Sequence, residues 1–513
     1  MRQFKKVFIG LGIVLILALL VNFGLNLWIK HQLPQIINDE NNSPHQISYK
    51  DISVSLFTQN IQISDIDIVP KNSVGKDTVK RGLYAKAERI EVVSFGLIDL
   101  LRTDKITARS LIISDPDITL YREKDKKDNQ DDNGRLDKII TVSDLYINRG
   151  KVKIIESGSD REVLVANNVN FNLEGILVSD QTIKQDLPLT YRQYSLTTDS
   201  IYYRAGQYYD LKTNKISVTD RQVDISKIKL LPRYSRAGFS NVIDKEQDLF
   251  AVAADSATIR NMIWGFKDED FFYSAQSVNF FGLDANIYRD KTLPDDPKKK
   301  KLYSEQLREI DFDLKVDTLR FQRSKLVYEE AKNEYGAGKL IFNNFNLTAT
   351  SLNSGYKKTK VPNVDIKINC TFMNAAKFET EWTFNVLDKS DSFNIKGRIY
   401  DLPLDNMSAF TKPYLNAKTK GVIDRVYFNF SGNDLGSKGD FAIEYDDLKV
   451  EIFRKKDRKK KNKILSAIAN LFVKNDTNDE VTTAEVAVDR DQQKSFFNLL
   501  WISIADGLKK ILV

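Results

Sequence analysis

Residues 46–68 read QISYKDISVSLFTQNIQISDIDI, and apolar side chains alternate with polar ones along them: Ile47 and Tyr49, then Ile52, Val54 and Leu56, then Ile61 and Ile63, then Ile66 and Ile68. Successive side chains of a β-strand point to opposite faces, so a period of two predicts strands with one apolar and one wet face. The alternation returns at Leu111/Ile113, Ile118/Leu120, Leu145/Ile147, Val152/Ile154, Leu319/Phe321, Leu326/Tyr328, Val364/Ile366/Ile368, Phe393/Ile395, Val426/Phe428/Phe430 and Phe441/Ile443/Tyr445. Each set is expected to form a strand of its own. Helical periodicity is confined to 95–102, 407–416, 464–473 and 495–512. The expected fold class is therefore mainly β.

The chain also repeats itself. ISDIDIVPKNS at 63–73 is echoed by ISKIKLLPRYS at 225–235, and residues 87–124 lie on 254–291 without a gap. Ala108 meets Ala275, Ser110 meets Ser277, Asp117 meets Asp284, Tyr121 meets Tyr288 and Arg122 meets Arg289. Beyond two charged linkers Leu145, Ile147 and Arg149 meet Leu319, Phe321 and Arg323, and the tetrapeptide NFNL at 170–173 meets NFNL at 344–347. A unit of roughly 130 residues is too long for a short solenoid repeat. The expected organisation is 1–31, a cytoplasmic N-terminus and membrane anchor; 45–190 and 195–355, two β repeats; 356–453, a further β region; and 454–513, a basic linker with amphipathic helices.

Residues 7–29 carry no charge and match the ~20 residues that span a bilayer as a helix. Val7, Leu15, Leu20 and Trp28 belong to this anchor. Trp28, Lys30 and His31 stand where a cleavable signal would end in small residues, and Arg2, Lys5 and Lys6 precede the segment, so an uncleaved anchor with a cytoplasmic N-terminus is expected. Cys370 is the only cysteine and His31 and His45 the only histidines, which excludes an internal disulfide and a Cys-based zinc cluster. Nucleophile-elbow, zincin and phosphate-loop motifs are absent, and NQDDNG at 129–134 lacks the glutamate of a calcium loop, which leaves it a solvated hairpin loop. The acidic alternation EIDFDLKVD at 309–317 reads as the wet face of a strand. The net charge of +7 in 513 residues is too mild and too local for a nucleic-acid binder. No enzyme, cofactor or metal is expected.

A membrane anchor followed at once by ISYKDISVSLFTQNIQISDIDI, then FGLIDLLRTDKITARSLIISDPDITLYRE, and near the end FSGNDLGSKGDFAIEYDDLKVEIF, resembles the AsmA-like proteins of double-membraned bacteria. The resemblance covers nearly the whole chain. It implies an inner-membrane protein with an elongated, curled periplasmic β-sheet, similar to the chorein-type bridge-like lipid transfer proteins, whose groove conducts phospholipid towards the outer membrane. Membrane lipids, the inner membrane and an outer-membrane or periplasmic protein at the distal end are the partners it implies. The residues fit independently, because an apolar sheet face must be covered and helices are scarce. Ile61, Ile63, Leu111, Ile113, Leu145, Ile147, Val278, Phe280, Leu319 and Phe321 occupy the apolar phases expected to line the groove, with Ser64, Asn279 and Arg320 facing water. The alternative is an envelope assembly scaffold whose sheets close on themselves as a sandwich.

On a helical wheel Phe496, Phe497, Leu500, Trp501, Ile504, Leu508, Ile511 and Leu512 gather on one side of 495–512, opposite Asn498, Asp506, Lys509 and Lys510. With the upstream run RKKDRKKKNK at 454–463, this amphipathic helix is expected either to sit on an anionic membrane surface or to cap the end of the sheet.

Overall fold

The computed structural model describes residues 45–512 except 56, 72–78, 97–98, 100–101, 104, 123–138, 186, 333–335, 455–460, 464–465, 467–475 and 478–479. The anchor 7–29 with Val7, Leu15, Leu20 and Trp28, the loop 129–134, half of 95–102 and most of 464–473 lie outside the described residues. Among those described, no helix is long and apolar enough to cross a membrane. The chain forms two compact units, one built from residues up to Ala205 with Leu211–Asp220, the other from Gly206–Asp210 with Arg221–Val513. Both are mainly β.

The first unit contains β1 (His45–Ser48), β2 (Asp51–Ser55), β3 (Asn60–Pro70), β4 (Gly82–Val93), β5 (Lys105–Ser114), β6 (Asp117–Arg122), β7 (Ile139–Glu156), β8 (Arg161–Val178), β9 (Gln193–Thr198) and β10 (Ser200–Ala205). After β11 (Tyr209–Thr213) it is completed by β12 (Ile216–Thr219). The second contains β13 (Gln222–Pro232), β14 (Asp248–Arg260), β15 (Ile263–Lys267), β16 (Asp270–Phe281), β17 (Asp284–Asp290), β18 (Asp313–Ala331), β19 (Ala337–Asn353), β20 (Val364–Phe372), β21 (Ala376–Phe384), β22 (Phe393–Pro403), β23 (Ala417–Gly432), β24 (Gly436–Ile452) and β25 (Thr482–Asp489). Among its described residues are the α-helices α1 (Arg236–Ser240), α2 (Tyr303–Arg308), α3 (Ser408–Leu415) and α4 (Phe496–Leu512). The stretches expected at 407–416 and 495–512 are α3 and α4; α1 and α2 are too short to show a helical period.

One topology occurs twice. In the first unit β3 pairs antiparallel with β4, β4 pairs along one edge with both β5 and β6, these run parallel to β7, and β7 is antiparallel to β8. In the second, β13, β14, β16 with β17, β18 and β19 repeat that order and those directions. The strands on either side of residues 123–138, β6 and β7, run parallel.

Several sets of alternating residues expected to be separate strands are single strands. Ile61/Ile63 and Ile66/Ile68 share β3, Leu145/Ile147 and Val152/Ile154 share β7, and Leu319/Phe321 and Leu326/Tyr328 share β18. A left-handed residue between the halves shifts the alternation by one: Asp65 (φ 49), Arg149 (φ 55) and Arg323 (φ 50). These residues recur across the duplication, Asp65 with Lys227, Ser94 with Asn261, Asp115 with Gly282, Arg149 with Arg323 and Asn168 with Asn344. The last pair corrects the sequence alignment by two residues. The Asn170 side chain accepts from Arg149 N at 3.0 Å as Asn346 does from Arg323 N at 3.1 Å, so the two NFNL segments are not in equivalent positions. An interruption like this bends a strand without ending it.

Candidate lipid-contacting face

Direct cross-strand partners project to the same side of a sheet. In the first unit this places Ile52, Ile63, Ile90, Ile113, Ile147, Phe171, Leu196 and Val218 in one lateral row. Val54, Ile61, Val92, Leu111, Leu145, Leu173 and Tyr194 form the next. In the second unit Ile225, Ala257, Phe280, Phe321, Leu347 and Ile368 make one row, and Val223, Ile259, Val278, Leu319, Ala349 and Ile366 its neighbour. The ten residues expected to line a groove thus stand together, six in the first unit and four in the second. All ten are half-buried.

The opposite face of the second unit is wet. Thr258, Asn279, Arg320, Thr348, Lys367, Glu381, Lys396, Asn429, Asp440 and Glu485 cross it in one row. Glu381 pairs with Lys396 at 2.9 Å and Lys367 at 3.8 Å. Lys315 and Asp317, from the acidic alternation, pair at 3.1 Å on the edge of β18. Elsewhere in β18, Glu329 is buried and held by Arg236 at 2.6 Å, Asn286 at 2.7 Å and Lys339 at 3.2 Å. Burial raises its pKa, but these three partners outweigh that and hold it at about 2.

Beyond the left-handed residues the apolar phase of β18 and β19 switches, yet the physical face stays the same. Uninterrupted β20 shows this, because Ile366, Ile368 and Phe372 share its one face and are partnered by Ala349, Leu347 and Phe342 on either side of Asn344. The face therefore continues through Leu326 with Phe342 and through Phe250, Ile287, Tyr328 and Leu340. It ends on a charged row, Asp248, Arg289 and Glu330. Arg289 donates to both Asp248 oxygens at 2.6 and 2.7 Å, and the Tyr328 hydroxyl donates to Glu330 at 2.6 Å. Burial works against the Arg289 charge, but the Asp248 carboxylate outweighs it and holds the guanidinium pKa above its ordinary value. Burial, aided by the Glu330 charge, pushes the Tyr328 hydroxyl up. The first unit ends its face the same way, with Arg122 opposite Glu156. Sequence reading missed this row; its one signal was the match of Arg122 to Arg289 across the duplication.

From β21 to β25 the same face is covered by α4. Phe441 is 0% exposed and Ile443 1%, and Phe496, Leu499 and Ile511 of the helix are buried with them. Phe496 stacks on Trp382 with ring centroids 4.4 Å apart. The buried stripe runs Phe496, Leu499, Ser503, Gly507, Ile511. Ser503 bonds Ser437 at 2.6 Å, and a Cβ at Gly507 would overlap the Phe441 ring. The face expected from the helical wheel is divided: Phe496 is buried, Leu500, Ile504 and Leu508 pack partly against the core, and Phe497 and Trp501 are 59% and 41% exposed. Cys370 also lies on the sheet's apolar side, and burial pushes its thiol up to about 12. Among the described residues no cluster of His, Cys, Asp and Glu could hold a metal ion.

No protein-family model matches this chain, and no curated protein matches it.

Proposed function

We propose that the apolar face of each sheet carries the acyl chains of membrane lipids, and that the protein serves phospholipid transport between inner and outer membrane from an inner-membrane anchor at 7–29. The supporting observation is the contrast along one row. Phe441 is sealed under α4 while Phe280 and Phe321, in line with it, stay half-buried. An apolar row left half-open across many strands is a surface that a lipid chain stabilises by covering it, at about 25 cal/mol per Å² removed from water. The periplasmic location and the bridging role follow from the resemblance to AsmA-like proteins and remain part of this proposal.

The test is a photo-crosslinker placed at Phe280 or at Asn279, which point to opposite faces of β16. Capture of lipid at Phe280 and none at Asn279 supports the conduit. Capture at neither, with cooperative unfolding of Phe280→Asp, supports the second reading, a scaffold with a closed core. That reading draws on the closure α4 already makes over β21–β25.

A further inference from the structure

We propose that a cleft in the second unit holds the phosphate of a phospholipid headgroup while the acyl chains lie on the adjoining apolar face; the inference rests on the lipid reading above. The cleft encloses about 860 Å³, and its walls come from the segment before β14, the crossover between β17 and β18, and the start of α4. That volume lies in the range of small-ligand sites. Two observations join it to the face. Phe250 lines the cleft and also stands in the row of Ile287, Tyr328 and Leu340. Phe496 lines it from the other side and stacks on Trp382, the partner of Ile366 on the same face. An amphiphile lying on the face therefore meets the cleft at its polar end.

The charges of the cleft favour an anion. Its acids Glu246, Asp248 and Asp296 are engaged by Lys291 at 2.7 Å, Arg289 at 2.6 Å and Lys300 respectively. Lys299 is tied to Asp434 at 2.8 Å and Lys301 to Glu309. Lys245 and Lys298 also line the cleft, are exposed, and make no direct ion pair among the described residues. Against these two ammonium groups stand Asp244 and, towards Lys245, Asp296, which Lys300 already engages; the lining carries six basic side chains and four acidic ones. Two lysines without a direct ion pair, beside an apolar wall, match a phosphodiester attached to acyl chains, since the ammonium acts as a point charge towards phosphate oxygen.

The experiment uses the full chain in an uncharged detergent with p-benzoylphenylalanine in place of Phe250. Its probes are dioleoylphosphatidylglycerol, dioleoylglycerol with the same chains and no phosphate, and glycerol 3-phosphate with no chains. The expected result is capture of the phospholipid about tenfold above dioleoylglycerol. The double change Lys245→Glu and Lys298→Glu should erase that preference, and the neutral pair Lys245→Met and Lys298→Met should halve it, with capture at Phe280 unaltered. Equal capture of the two lipids, or a preference indifferent to both pairs of changes, overturns the headgroup site. Competition by glycerol 3-phosphate as tight as the phospholipid's own binding assigns the cleft to a soluble phosphate compound and overturns the lipid part. Failure of the wider reading looks different: Phe250 captures phospholipid by its phosphate while Phe280 captures none, which supports the cleft and sinks the conduit.

Discussion

Phe280 and Phe441 lie in one lateral row of the second unit, reached strand by strand through Phe321, Leu347, Ile368, Thr380, Gly397 and Phe428. Phe441 is fully enclosed, and Phe280 is not. The strands do not differ in their alternation; the cover does. Over β24 and β25 the protein supplies its own amphipathic helix, fitted closely because Ser503 and Gly507 are small. Over β16 and β18 Val278, Phe280, Leu319 and Phe321 are only half-buried, and that part of the face stays available. Hydrophobic pattern thus fixes which side of a sheet is apolar, and the presence of a partner decides whether that side is core or binding surface.

The largest expected effect breaks the comparison if it is wrong. Phe441→Asp should destabilise the second unit by ~4 kcal/mol or more, because a carboxylate would be shut in without a partner, whereas Phe280→Asp should cost about 1 kcal/mol. Denaturant titration of both variants decides it, and equal losses would mean that the two regions are enclosed alike. Gly507→Val should cost about 2 kcal/mol by forcing α4 away from Phe441, with a matching rise in the dye-binding apolar surface of the folded protein.

The third expectation concerns what holds the open region instead of a core. Glu329 has a folded pKa of about 2 against an ordinary value of 4.5, so its bonds stabilise fully above about pH 4.5 and lose that contribution as pH falls through about 2. Glu329→Gln should therefore cost ~2 kcal/mol at pH 7, with the gap to the unaltered protein closing between pH 4.5 and 2. A gap independent of pH would point to packing rather than charge. The smallest effect belongs to the exposed edge of α4, where Phe497→Ser with Trp501→Ser should change stability by no more than ~0.5 kcal/mol. If the helix also touches a bilayer, the same pair should lower vesicle binding in a flotation assay.

The alternation made the β class and the apolar phases legible, and pairing brings all ten chosen groove residues into shared rows. What stayed hidden has physical causes. A left-handed residue in mid-strand is usually betrayed by glycine, but here Asp65, Arg149, Lys227, Arg323 and Asn344 take that conformation, so one bent strand reads as two. The parallel pairing of β6 with β7 depends on contacts between strands on either side of residues 123–138, which no local pattern encodes. The middle of the buried stripe of α4, Leu499, Ser503 and Gly507, was missed because a helical wheel rewards large apolar residues, while close approach to Phe441 calls for Ser503 and Gly507. The cleft draws on segments as far apart in the chain as Tyr208 and Phe496, which no local pattern joins.

The left-handed residues cross each repeat as a line, and the line carries different charges in each. Lys227 pairs with Asp255 at 2.7 Å in the second unit, where the first has Asp65 paired with Lys50 at 3.5 Å, and Arg149 binds Asp115 where the second has Gly282. A chain holding two templates of one register faces the hazard of strand exchange during folding. Were β3 to enter the place of β13, Asp255 would lose its lysine; were β16 and β17 to replace β5 and β6, Arg149 would lose its carboxylate. The kinks that let the apolar face run unbroken therefore also mark the two repeats with different ion pairs, which a strand placed in the wrong repeat would forfeit.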